Sequence, residues 1–393
     1  MSSYNVLVIN SGSSSLKLAL IDPRSGHTSH AALAERLGTA EGHLRVDLAD
    51  GTSYEEELGA AGHTSALDRA LTVLGPLDVK AIGHRVVHGG EAFSESVVLN
   101  ATVIAAIDAC AALAPLHNPA NLLGIEAATQ RFPQLGQVAV FDTAFHQSLP
   151  PKAYRYAIPH ELYERYRIRR YGFHGTSHRY VAAEAAKRLG TPPEQLQLLS
   201  AHLGNGCSAC AVRGGRSVDT TMGLTPLEGL VMGSRSGDVD PNLHEFLAAK
   251  TGDSLQAISQ MLNRRSGLLG LSGSSNDMRT LLAARAGGDE RAALAIDVFC
   301  YRLAKALLGL CAGLTRVDAL VFTGGIGEHA CEVREETLRQ LAVLGIELDA
   351  GLNRRHGADT DGRISGAQSR VAVLVVPTHE ELVIAREVER LLA

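Results

Sequence analysis

Val6-Leu7-Val8-Ile9-Asn10-Ser11-Gly12-Ser13-Ser14-Ser15-Leu16-Lys17 is a short apolar run that stops at a polar residue, turns through glycine and serines, and resumes as an apolar run. Leu198-Leu199-Ser200-Ala201-His202-Leu203-Gly204-Asn205-Gly206-Cys207-Ser208 repeats that plan. Asn10 corresponds to His202 and Gly12 to Gly204, 192 residues apart. Each run is too short for a helix and is bounded by turn residues, which indicates a buried strand turning back as a hairpin. A repeat at this distance indicates a duplicated domain with a cleft between the halves. A third loop, Ala319-Leu320-Val321-Phe322-Thr323-Gly324-Gly325-Ile326-Gly327-Glu328, is a strand followed by a glycine-rich turn and a helix. None of the three contains GxxxxGK[ST].

Elsewhere short apolar runs alternate with longer helical patterns, so the class is α/β. The runs place strands at 4–10, 16–22, 80–87, 137–142, 197–202, 208–213, 318–323 and 371–376. Helical spacing covers 101–113, 119–131, 176–189, 242–249, 253–262, 276–285, 289–313, 331–343 and 379–392. The polar segment 24–65 matches no motif. With 393 residues, 45% of them hydrophobic, the chain is long enough for two lobes with substantial cores.

The net charge is −5, with no basic block, which argues against nucleic acid as a partner. No apolar run approaches the roughly 20 residues that span a bilayer, and Val6–Ile9 lacks the flanks of a signal peptide. A cytoplasmic protein is expected. Of the cysteines at 110, 207, 210, 300, 311 and 331, only Cys207 and Cys210 form a CxxC. That pair lies in a strand-like run whose i and i+3 side chains point to opposite faces, so reduced thiols are expected.

Several motifs carry chemistry. Asn10 and the serines offer neutral ligands to a hydrated metal or a phosphate, and Lys17 a point charge. His84-Arg85-Val86-Val87-His88-Gly89-Gly90 places an arginine at a strand end beside an apolar residue, suited to gripping a carboxylate or phosphate. In Ala114-Pro115-Leu116-His117-Asn118-Pro119, Asn118 is the expected helix cap with Pro119 at the first helical position, leaving His117 for function. Asp142 ends a buried strand with no basic neighbour in sequence. Such a carboxylate needs a cation or a proton, unless it caps a helix. Tyr171-Gly172-Phe173-His174-Gly175-Thr176-Ser177-His178 combines imidazoles, hydroxyls and glycines at a helix start, where amide N–H groups favour an anion. The i, i+4 histidines 174 and 178 lack a carboxylate spaced to complete a zinc site. Arg235 sits in Gly233-Ser234-Arg235-Ser236-Gly237, a polar loop that brings it close to a crowded anion. Asn276 or Asp277 can cap the helix that follows. In Pro377-Thr378-His379-Glu380-Glu381, Thr378 and Glu381 read as a capping box, which leaves Glu380 unexplained.

Taken together and in order, these motifs resemble the acetate kinase family, within the acetate and sugar kinase, Hsp70 and actin superfamily. The resemblance runs from Asn10 to Glu380. It implies a two-lobed, duplicated ribonuclease H-like (actin-like ATPase) fold of mixed sheets flanked by helices. Residues 1–144 with 379–393 would form the acyl and metal side, and 145–378 the nucleotide side. It implies reversible, Mg²⁺-dependent phosphoryl transfer (Mn²⁺ as a substitute) between ATP and acetate, giving ADP and acetyl phosphate, and a homodimer. Asp142, His174, Arg235 and Arg85 would be catalytic. Arg85, Val87, Leu116, His117, Phe173 and Pro226 would bind the acyl substrate. Lys17, His202, Leu203, Gly204, Asn205, Gly206, Asp277, Met278, Arg279 and the turn Gly324, Gly325, Ile326, Gly327, Glu328 would bind the nucleotide, and Asn10 and Glu380 the metal. His379 stands where the family commonly has asparagine. A propionate kinase with a roomier pocket is the alternative within the family, and an actin- or Hsp70-like nucleotide switch the alternative outside it.

Overall fold

Apolar strands that are buried on both faces read as continuous runs, and parallel connections need helices to cover those faces. Both units of the chain are built on this rule. The computed structural model describes residues 4–12, 14–114 and 117–393. It divides into one compact unit of 1–145 with 379–393 and a second of 146–378.

The first unit holds strands β1 (Val6–Gly12), β2 (Ser15–Ile21), β3 (Thr28–Glu35), β4 (His43–Asp47), β5 (Ser53–Glu57), β6 (Ala81–Val86), β7 (Val97–Val98) and β8 (Gly136–Phe141). Their order in the sheet is β5-β4-β3-β2-β1-β6-β8-β7. β1 pairs antiparallel with β2 and parallel with β6, and β6 pairs parallel with β8. Alternation along β1 sends Leu7 and Ile9 to one core, packed with helices His63–Leu74 and Asn118–Arg131, and Val6 and Val8 to the other. That second core is closed by Ile384, Ala385 and Val388 of the last helix, Glu380–Leu392. Burying each larger aliphatic side chain contributes about 1.5–3 kcal/mol, enough to fix this helix and the acid at its start.

The second unit holds β9 (Gln197–Leu203), β10 (Cys207–Arg213), β11 (Arg216–Thr220), β12 (Ala319–Thr323) and β13 (Ala372–Val375), in the order β11-β10-β9-β12-β13. The signs of pairing are antiparallel, antiparallel, parallel, parallel. The series β3-β2-β1-β6-β8 has the same order and signs. The repeat read from Asn10 and His202 is therefore a repeat of topology, and two mixed sheets flanked by helices are what the sequence suggested. In the paired registers Asn10 lies opposite Lys17, and His202 opposite Ser208.

The segment 24–65, without a motif, contributes β3, β4 and β5, a meander on the sheet edge with one face turned outward. Cys207 and Cys210 lie in β10 as free, buried thiols, and burial pushes both up to about 12. Among the described residues no helix is long and apolar enough to cross a membrane.

Candidate active site

In the first unit, the carboxyl ends of adjacent strands β6 and β8 place Arg85 beside Asp142. Arg85 Nε donates to Asp142 Oδ1 at 3.0 Å and Nη2 to Oδ2 at 2.6 Å. Asp142 is 1% exposed. Its positive neighbour is adjacent in the sheet, not in the sequence. Arg85 Nη1 also donates to Asn10 Oδ1 at 3.3 Å, tying in the end of β1. Burial disfavours the guanidinium charge, but Asp142, Glu380 and Glu381 together more than offset this and raise its pKa.

Glu380 begins the last helix. Its Oε1 is buried and has no hydrogen-bond partner among the described residues, and burial raises the pKa of its carboxyl against the pull of Arg85 and Lys17. A buried carboxyl oxygen left bare in this way calls for a cation or a proton. The expected capping box does not form. His379 is the N-cap and caps with no side chain, and Thr378 Oγ1 donates to Ser177 Oγ at 2.9 Å. Glu381 pairs instead with Lys17. The hairpin places Lys17 within reach of the acid, and this charge-assisted contact prevails over a neutral cap.

Asn118 also departs from expectation. It is fully buried, accepting from His88 N–H at 3.1 Å and donating to the carbonyls of His88 at 2.9 Å and Ile107 at 3.3 Å, while His117 occupies the N-cap position. Asn121 likewise holds Val87 N–H at 3.0 Å and the Ser11 carbonyl at 2.6 Å. The helix thus staples the backbone after β6 to the β1 turn. Val87 is buried and His117 half-buried; Leu116 lies outside the described residues.

In the second unit, His174 stands just before helix Gly175–Arg188 with φ +56°, a left-handed conformation rare outside glycine. Gly172, at φ +76°, has no room for a side chain: a Cβ would lie 2.6 Å from Thr220 and 2.7 Å from the His146 ring. Phe173 is buried there, and its carbonyl accepts from His146 Nε2 at 3.0 Å. His174 Nδ1 lies 2.8 Å from Ser208 Oγ, and its ring stacks on His202 with centroids 4.3 Å apart. Arg235 donates to the Pro226 carbonyl at 3.1 Å. A Cβ built on Gly206 would meet Arg235 Nη1 and the His174 ring, each at 3.4 Å. Imidazole and guanidinium thus converge above one glycine, an arrangement suited to an anion. His178 lies in the same network, bound to Ser200 at 2.7 Å and Ser208 at 2.8 Å.

Beside this point is a cavity of about 380 Å³ lined by Gly204, Asn205, Asn276, Asp277, Met278, Arg279, Leu282, Gly325, Ile326, His329 and Ala330. Seven of the predicted nucleotide residues line it together. Leu203 is buried, its backbone against Gly324. Glu328 Oε1 accepts from Gly324 N–H at 2.9 Å and from Thr378 N–H at 3.3 Å, which pins the glycine-rich turn. Asp277 caps helix Met278–Ala286 through Arg279 N–H and also holds the exposed Arg279 side chain at 2.6 Å. The Arg279 contact lowers the Asp277 carboxyl to about 2.

The sequence model of the acetokinase family matches residues 5–386. The chain belongs to the acetokinase family. The acetate kinase of Deinococcus radiodurans is 56% identical over 385 residues, spanning 97% of this chain and 96% of its own. That of Ectopseudomonas mendocina is 55% identical over 397 residues, all of both chains. Among solved structures, Porphyromonas gingivalis acetate kinase matches with a TM-score of 0.93 at 41% identity, covering 100% of each chain. A propionate kinase from Francisella tularensis matches at 0.92 and 43%, covering 99% of this chain and 100% of its own.

Sequence reasoning missed Ser200, Ser208 and Glu228 of this acetokinase. Glu228 accepts from Arg170 and Tyr156 and so anchors the loop that carries Pro226 and Arg235. The serines were legible as same-face positions of two strands. Nothing local marks Glu228, because its partners come from distant sequence.

Proposed function

We propose that this acetokinase transfers the γ-phosphoryl group of ATP reversibly to acetate, by direct in-line displacement, giving ADP and acetyl phosphate. The observation that carries the reading is full-length identity of 55% to an acetate kinase. The two donor sets are of the kind the chemistry needs, since phosphoryl transfer depends on positioned charge more than on covalent help.

Arg85 binds the acetate carboxylate, oriented by the bidentate Asp142, beside the apolar Val87. Acetate is already ionised at neutral pH, as a carboxyl pKa of about 4 implies, so no general base is required. Asp142 therefore acts by holding Arg85. The resemblance assigns Phe173, Pro226 and Leu116 to acyl-substrate binding as well. The adenosine part occupies the cavity at Asp277 to Arg279 and Gly325, and Lys17 and the 202–206 hairpin approach the phosphates. His174 and Arg235, which converge above Gly206, donate to the transferred phosphoryl. The bare Glu380 Oε1 and Asn10 fit a hydrated divalent cation, which characteristically takes one or two carboxylates and keeps several waters. Bound there, Mg²⁺ would draw charge from the phosphate oxygens. We propose a homodimer and a cytoplasmic location on the resemblance alone.

The reverse reaction tests the reading. Acetyl phosphate and ADP with Mg²⁺ give ATP, read by luciferase, and propionyl phosphate is used less well, since one methylene is worth about 1–3 kcal/mol. No ATP from either acyl phosphate refutes it; preference for propionyl phosphate moves the assignment to propionate.

A further inference from the structure

The hydrogen bonds behind His174 determine which of its ring nitrogens carries the proton. Ser200 and His202 are two apart on β9 and share a face of the sheet, and Ser208 on β10 lies opposite His202. Helix Gly175–Arg188 packs on β9 and sets His178 over the two serines. His178 Nδ1 is 2.7 Å from Ser200 Oγ and its Nε2 is 2.8 Å from Ser208 Oγ. Ser208 Oγ is also 2.8 Å from His174 Nδ1. Ser200, His178 and Ser208 are all 0% exposed.

Counting protons gives this chain a direction. A hydroxyl and a neutral imidazole each have one proton to donate. Among the described residues the Ser200 hydroxyl has a single hydrogen-bond partner, His178 Nδ1. A buried donor left without an acceptor costs about 1–3 kcal/mol, so Ser200 donates to Nδ1. Burial, with His146 and His202 nearby, holds the His178 pKa well below its ordinary value, and the ring is neutral. Its proton is then on Nε2 and goes to Ser208 Oγ. The Ser208 proton has one place left, His174 Nδ1.

We propose that Ser200, His178 and Ser208 are positioning residues that lock His174 as the Nε2–H tautomer, so that Nε2 meets the phosphoryl group as a donor. The proposal rests on the reading of His174 as a phosphoryl donor. It makes Nδ1 an acceptor, which rules out an imidazolium in the resting enzyme. It leaves Nε2 without a lone pair to attack phosphorus. His202 stacks on the ring while its own Nδ1 bonds Ser177 at 2.8 Å.

The test is a long-range ¹H–¹⁵N spectrum of the imidazoles in the full-length enzyme near neutral pH, assigned by single histidine variants. Both His174 and His178 are expected with a protonated Nε2 and a lone pair on Nδ1. Ser200→Ala is expected to populate the second tautomer of both rings. It should lower kcat by about three- to tenfold, the scale of one neutral hydrogen bond, with KM for ATP unchanged and the loss restored by Ser200→Thr. An Nδ1–H tautomer or an imidazolium at His174 in the wild type overturns the proposal, as do unchanged tautomers in Ser200→Ala. Should that variant not fold, the wild-type spectrum decides alone. Wild-type kcat in His174→Ala, which has no donor, would instead remove the phosphoryl-donor reading, and that assay is independent of the tautomers.

Discussion

Asp142→Asn separates two roles for a carboxylate at this strand end. In one it holds Arg85, and in the other it holds the metal. Asp142 receives two charge-assisted bonds from Arg85, at 3.0 and 2.6 Å. Asparagine keeps one acceptor oxygen and loses the charge, which removes about 1.5–3 kcal/mol of orientation from Arg85. If that orientation is needed for acetate, kcat/KM for acetate falls about 10- to 150-fold. The fold should survive, because Glu380 and Glu381 still compensate the guanidinium. A loss of about 1 kcal/mol would lower Tm by about 2–4 °C. The assay is a coupled measurement of ADP against acetate at saturating ATP, repeated across a magnesium titration. The expected result is impaired use of acetate with an unshifted magnesium midpoint. Undiminished kcat/KM for acetate in a folded variant, or a shifted magnesium midpoint, refutes the assignment.

Three more perturbations address other parts of the account. Glu380→Gln leaves shape but removes the charge from the bare Oε1, so the magnesium midpoint should rise by at least about tenfold, checked by the same titration. Gly206→Ala places a methyl 3.4 Å from both the His174 ring and Arg235 Nη1, in the space assigned to the phosphoryl; Tm should hold while kcat/KM for ATP falls about tenfold. His84, His88 and His146 are each lowered by burial to about 4 from 6.5. Between those values the unfolded chain binds protons that the folded chain does not, so stability falls as pH drops from about 6.5 towards 4 and is level above. Each histidine adds up to about 1.4 kcal/mol per pH unit, which urea unfolding at a series of pH values would register.

The parts of the fold legible in sequence were those buried on both faces. Val6–Ile9, Val138–Phe141 and Ala319–Phe322 are continuous apolar runs because parallel strands between helix layers admit little else. The edge strands at 28–57 were not legible, because one face is solvated and their residues resemble loop. Among site residues, those next to glycine or at a strand end could be found by local pattern. Two local readings failed for one reason: Asn118 and Glu381 fit a helix start, but partners brought by other strands and loops bound them more strongly. Asp142 shows the converse, since its missing cation was one strand away.

The measurement that bears most directly on the account is a stoichiometry. Purified protein is incubated with ATP, acetate, Mg²⁺ and hydroxylamine, and acetohydroxamate and ADP are both quantified. Transfer to the carboxylate predicts equal amounts of the two and almost no ADP when acetate is left out. ADP released at the same rate with and without acetate, and no hydroxamate, would contradict it.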